Sequence, residues 1–103
     1  MYKETMNFPD HEKYGLTNQI RRSSFSIPCN IAEGCGKFKQ LDIANYFQIA
    51  LGSANETEYL LLLSKDLNYL SEDSFKSLEE RINKIKAMLI SLIKKVRLKI
   101  ENT

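Results

Sequence analysis

Residues 71–96 read SEDSFKSLEERINKIKAMLISLIKKV, and within them Phe75, Leu78, Ile82, Ile85, Leu89, Leu92 and Val96 recur in alternating steps of three and four. A seam of that period specifies a helix that packs left-handed and nearly antiparallel against its neighbours. Ile85 lies midway along the seam and is expected to be buried. Met88, Ile90 and Ile93 widen the stripe beyond a two-stranded seam, as suits a bundle or a second interface. Ser71 opens the helix as a hydroxyl cap, with Glu72 and Asp73 against the positive end of its dipole.

Upstream, a helix over about 41–68 carries one apolar ladder through Ile43, Phe47, Ala50, Ala54 and Leu61. A second runs beside it through Tyr46, Ile49, Leu60, Leu63 and Leu67, so both flanks are expected to be buried. Gly52-Ser53-Ala54 costs helix propensity, and small residues there let a neighbouring helix come close. Glu56 falls near the second ladder, where an unpaired carboxylate is costly, so either an arginine or lysine partner across the bundle or a solvated place at the helix face is expected. Another helix runs from about Asp10, its N-cap, through Leu16, Ile20, Phe25, Ile27 and Ile31 to Gly34. Gly34 and Gly36 suit the positive backbone angle of a helix end. Pro28 inside this helix removes a donor from the Ser24 carbonyl, at about 3 kcal/mol in an ordinary helix interior. Ser23, Ser24 and Ser26 lie close enough to supply replacement hydrogen bonds. Residues 2–8 read as the last two turns of a first helix stopped by Pro9.

Short connections make successive helices antiparallel, so the fold class is all-α: an antiparallel up-and-down four-helix bundle with a truncated first helix, in a single domain over 1–103. A short first helix leaves an apolar strip between the others, and association with further copies is the expected remedy. No run approaches the roughly 18 apolar residues that span a bilayer, so no membrane partner is expected. The N-terminus, with Lys3, Glu4 and Asp10, lacks a signal peptide's apolar centre, which favours the cytoplasm.

Three blocks carry a family likeness: FPDHEKYGLTNQIRRSSFSIPCNIAEG from Phe8, IALGSANETE from Ile49 and DLNYLSE from Asp66. Together they resemble the small four-helix bundle proteins encoded in intervening sequences of bacterial large-subunit (23S) ribosomal RNA genes. The fold is similar to that of the accessory variability protein of diversity-generating retroelements, a pentameric barrel that binds nucleic acid and associates with a reverse transcriptase. The resemblance implies a non-enzymatic homo-oligomer, a ring of five copies. It also implies RNA or DNA as partner and, by fold analogy, a reverse transcriptase or other protein. Family members carry a full first helix ahead of the Phe8-Pro9 junction; here it is truncated, or the chain's start lies upstream.

The residues themselves offer no catalytic constellation. A Ser or Cys nucleophile needs a base within hydrogen-bond reach, and the one imidazole, His11, sits among the charges of a helix start. Glu56 and Glu58 are two apart on a helix and so on different faces. Cys29, Cys35 and His11 do not make a four-ligand metal set, and no cofactor is implied. Charge is more telling than its total of +2. Arg21, Arg22, Lys37 and Lys39 stand against Glu33 alone, and from Arg81 to Lys99 every charged residue is basic, while 41–70 is acidic. Such segregation suits phosphate backbones, so Arg21, Arg22, Lys37, Lys39, Lys94, Lys95, Arg97 and Lys99 are the candidate contacts to nucleic acid. Arg21 and Arg22 lie about 100° apart on a helix, so at most one faces inward, as a counterion for Glu56 or Glu33. The alternative is a protein-interaction module whose apolar groove receives a helix.

Overall fold

The computed structural model describes residues 1–102. They form α1 (Tyr2–Thr5), a 3-10 turn (Asp10–Glu12), α2 (Leu16–Cys35), α3 (Gln40–Asp66) and α4 (Glu72–Glu101), with no strand among them. The connections at 36–39 and 67–71 are too short for anything but a reversal, so α3 runs antiparallel to both α2 and α4. It packs along each of them, whereas α2 and α4 hardly touch one another. The body measures 51 × 24 × 17 Å, and its long axis is set by α4.

The α4 seam supplies most of one wall of the core: Phe75, Leu78, Ile82, Leu89 and Val96 are buried, joined by Ile93. Ile85 and Leu92 are only half-buried, because they sit on the side of the seam that α2 does not reach. On α3 the first ladder is inside, with Phe47, Ala50, Ala54 and Leu61 buried. The second is buried only at Leu60; Ile49 is 52% exposed and Leu67 44%, since two neighbours cannot cover three sides of a helix. Phe25 likewise lies outside the α2 core, 65% exposed, while Leu16, Ile20 and Ile27 are buried.

The start of α2 departs from the sequence reading. Asp10 caps no long helix; the chain makes one 3-10 turn, and the backbone at Gly15 (φ −107°, ψ −113°) breaks the path before α2 begins. Glu12 takes the capping role, its Oε1 accepting the Leu16 amide at 3.2 Å. Glu12 Oε2 also accepts the Tyr69 hydroxyl at 3.1 Å, and the Tyr69 ring lies 5.5 Å from that of Phe8. Desolvation and that carboxylate push the Tyr69 phenol above its ordinary value. The N-terminal junction is thereby tied to the α3–α4 turn, where Asn68 takes the left-handed conformation (φ 65°) that asparagine tolerates. Ser71 caps α4, accepting the Ser74 amide at 3.1 Å.

Gly34 does not end its helix by a positive backbone angle, since no glycine among the described residues has one. It is buried inside α2, where an added Cβ would lie 3.0 Å from Phe47 Cε1 and 3.1 Å from Tyr46 Cβ, so its role is close passage of α3. Further along, α2 and α3 meet through hydroxyls. Thr57 Oγ1 lies 2.8 Å from Ser23 Oγ, and Ser26 Oγ lies 2.9 Å from Ser53 Oγ. Helix α2 continues through Pro28; Asn30 Nδ2 donates to both the Ser26 carbonyl and Ser26 Oγ at 2.8 Å, and Ser24 Oγ donates to the Arg21 carbonyl.

Candidate nucleic-acid interface

Antiparallel reversal fixes where the cations fall. Lys37 and Lys39 sit in the connection between α2 and α3, and the last turns of α4 return to that same end of the bundle. Lys39, Lys94, Lys95, Arg97 and Lys99 are exposed, and Lys37 is half-buried with its ammonium 5.2 Å from the Tyr46 ring centre. Six of the eight candidate residues therefore share one end of the molecule. The carboxylates of Glu33, Asp42 and Glu101 belong to the same region, so the potential there is positive without being uniform.

The α4 cations divide between two faces. Arg81, Met88 and Lys95 are seven apart and Lys99 follows four later, which places them on one stripe. Lys86, Ile90, Lys94 and Arg97 form another, and Lys86 on it donates to Glu58 Oε1 of α3 at 3.0 Å. The cross-bundle cation thus belongs to Glu58, and of the two expectations for Glu56 the solvated one holds: it is exposed, because the ladder beside it is not buried.

Arg21 and Arg22 are not part of this end. Arg22 stands about 20 Å short of the end of α2 at 1.5 Å per residue, exposed beside a polar cleft lined by Gln19, Ser23, Ser26, Ser53 and Glu56. Arg21 is neither a counterion for Glu56 or Glu33 nor open to a partner: its Nε donates to Thr5 Oγ1 at 2.9 Å and its guanidinium lies 4.5 Å from the Tyr2 ring centre. Opposite, Arg81 Nη1 is 3.7 Å from Glu4 Oε1 and the N-terminal ammonium is 3.3 Å from Glu4 Oε2. Burial opposes ionisation of Glu4, but its own backbone amide, the Met1 ammonium and Arg81 outweigh it and hold the carboxyl below its ordinary value. Four residues of helix are thereby fastened to α2 through Arg21 and to α4 through Arg81.

Beyond α1, the gap between α2 and α4 is an apolar groove of about 430 Å³. Phe25, Pro28 and Ile31 form one wall and Ile82, Ile85 and Met88 the other, with Thr57 of α3 at its floor. Apolar periodicity marks the seam that borders it. The hydroxyl pairs between α2 and α3 escape that reading, although Ser23 with Ser26 and Ser53 with Thr57 have the three and four spacings that put each pair on one face.

Three long helices, each antiparallel to the next, a short first helix and a basic end define a small helical-bundle protein. The family model of the 23S rRNA-intervening sequence protein matches residues 1–91, and the chain belongs to that family. A solved structure of a protein with unknown function from the S23 ribosomal protein family of Bacteroides thetaiotaomicron VPI-5482 is similar in sequence and fold. It is 35% identical with a TM-score of 0.81 over 90% of this chain and 84% of that one. No curated protein matches. No helix among the described residues is long and apolar enough to cross a membrane.

Proposed function

We propose that this chain is a non-enzymatic, self-associating bundle protein that binds structured RNA or DNA through its basic end. The observation that carries the reading is the convergence of Lys37 and Lys39 with Lys94, Lys95, Arg97 and Lys99 at one end, five of the six exposed. Phosphate contacts of this kind give affinity that is tolerant of sequence and steeply dependent on salt. Self-association is supported by the apolar groove between α2 and α4, which a stable monomer does not ordinarily leave open to water.

Changing Lys94, Lys95, Arg97 and Lys99 to glutamate tests the nucleic-acid arm, with binding to an RNA hairpin and an unrelated DNA duplex measured across a salt series. The expected result is weaker binding to both, and a dependence of log affinity on log salt that flattens on the duplex by nearly one unit per phosphate contact removed. A variant that keeps its helicity and binds as before would show that these residues are only a solvated helix end.

A further inference from the structure

The basic end carries a side chain that phosphate binding alone does not use. Phe38 lies between Lys37 and Lys39 in the connection from α2 to α3 and is 99% exposed, more than any other large apolar side chain among the described residues. At that exposure no side chain of the molecule rests on either face of its ring. A single exposed apolar residue is ordinary by itself. This one stands at the end of the bundle where Lys37, Lys39, Lys94, Lys95, Arg97 and Lys99 fall.

The segment that presents the ring is short and held on both sides. The Lys37 amide donates to the Gly34 carbonyl at 3.1 Å, and the Lys39 carbonyl accepts the Ile43 amide at 3.1 Å as α3 begins. Tyr46, in the second turn of α3, is half-buried, and the Lys37 ammonium lies over its ring at 5.2 Å. Lys37 is thus drawn back onto α3, and the Phe38 ring is left uncovered beside it. Cations next to an open aromatic face are the combination that holds a single strand: the cations take the phosphates, and the ring takes a base by stacking, whichever base it is. Inside a duplex the neighbouring pairs already cover each base, so the same ring finds no face to stack on. An anionic membrane fits less well, because entry into the headgroup region takes the apolar face of a whole helix. Here one ring on a short connection, with Leu41 and Leu98 exposed at the same end, stands among six cations.

We propose that Phe38 is a stacking platform for an unpaired base, so that the basic end takes RNA or DNA at a single strand or an open loop. This rests on the phosphate contacts of the reading above and names the kind of nucleic acid they serve.

The test compares oligothymidylate with a strand of equal length made of abasic deoxyribose phosphates, and with a long duplex. Phe38→Ala removes a fully exposed side chain and no charge, so helicity and the salt dependence of binding are expected to stay those of the wild-type chain. The wild-type chain should bind oligothymidylate about ten- to a hundredfold more tightly than the abasic strand. Phe38→Ala should lose that difference while binding the abasic strand and the duplex as before. Phe38→Trp should keep it, and since the chain has no tryptophan of its own, the emission of that residue reports the ring directly. It should be quenched by oligothymidylate and not by the abasic strand. If Phe38→Ala binds oligothymidylate as the wild-type chain does, or the Phe38→Trp emission is indifferent to it, the proposal is overturned while the phosphate reading stands. If the wild-type chain binds none of the three, both fall. A lower sedimenting mass for Phe38→Ala would place the ring in a contact between copies. Lost binding to phosphatidylserine vesicles, with oligothymidylate binding retained, would make it a membrane anchor. Either result also overturns the proposal.

Discussion

Gly34 and Gly52 both stand inside unbroken helices, in opposite surroundings. At Gly34 the aromatic side chains of α3 lie where a side chain would go, so Gly34→Ala should destabilise the fold by about 1–2 kcal/mol of overpacking, despite the gain in helix propensity. At Gly52 that space is open, and Gly52→Ala should add up to about 1 kcal/mol. Urea midpoints of the two variants check this, and shifts of the same sign would contradict it. Both glycines are visible in the sequence, but their roles are not. A one-dimensional pattern gives the spacing of apolar residues and says nothing of how near a second helix passes. The same limit explains Glu58, whose pairing with Lys86 depends on which flank of α3 is covered.

At the scale of elements, the helices that bury one clean stripe are legible in the sequence and the others are not. The α4 seam places Leu89 fully inside, and its three and four spacing is enough to read it. The start of α2 is not legible, because Glu12 caps it through a side chain placed by the Gly15 backbone and held by Tyr69 from the far end of α3. Helix α1 is too short to persist alone, so its place depends on Arg21, Arg81 and Glu4. The Glu4 carboxyl is held below its ordinary value, so its contribution to stability is complete above the unfolded value of 4.5 and fades as pH falls through the lower folded value. Glu4→Gln should therefore reduce the loss of stability between about pH 7 and about pH 3, measured by urea unfolding. An acid sensitivity identical to that of the wild-type chain would mean that the α1 contacts do not couple to folding.

For the whole molecule, the antiparallel reversals decide which charges meet, and this is why the candidate site is only partly legible in the sequence. Charge segregation along the chain marks all eight cations, yet only the path of the helices separates Arg21 and Arg22 from the six at the other end. The α4 stripes divide the remainder again, because Lys95 and Lys99 continue the groove side while Lys94 and Arg97 lie on the side of Lys86. If a second copy covers the groove, Lys95 and Lys99 lie on the α4 stripe that continues beyond it and Lys94 and Arg97 remain open to phosphate. Reversing charge in pairs separates the two duties. Lys94→Glu with Arg97→Glu should flatten the salt dependence of duplex binding by up to about two units and leave the sedimenting mass unchanged. Lys95→Glu with Lys99→Glu should instead lower the mass at a given concentration, because it reverses the charge on the stripe that continues the groove. If instead both pairs lower nucleic-acid binding equally and neither changes the mass, the basic end acts as one phosphate surface and the groove side of α4 has no separate duty.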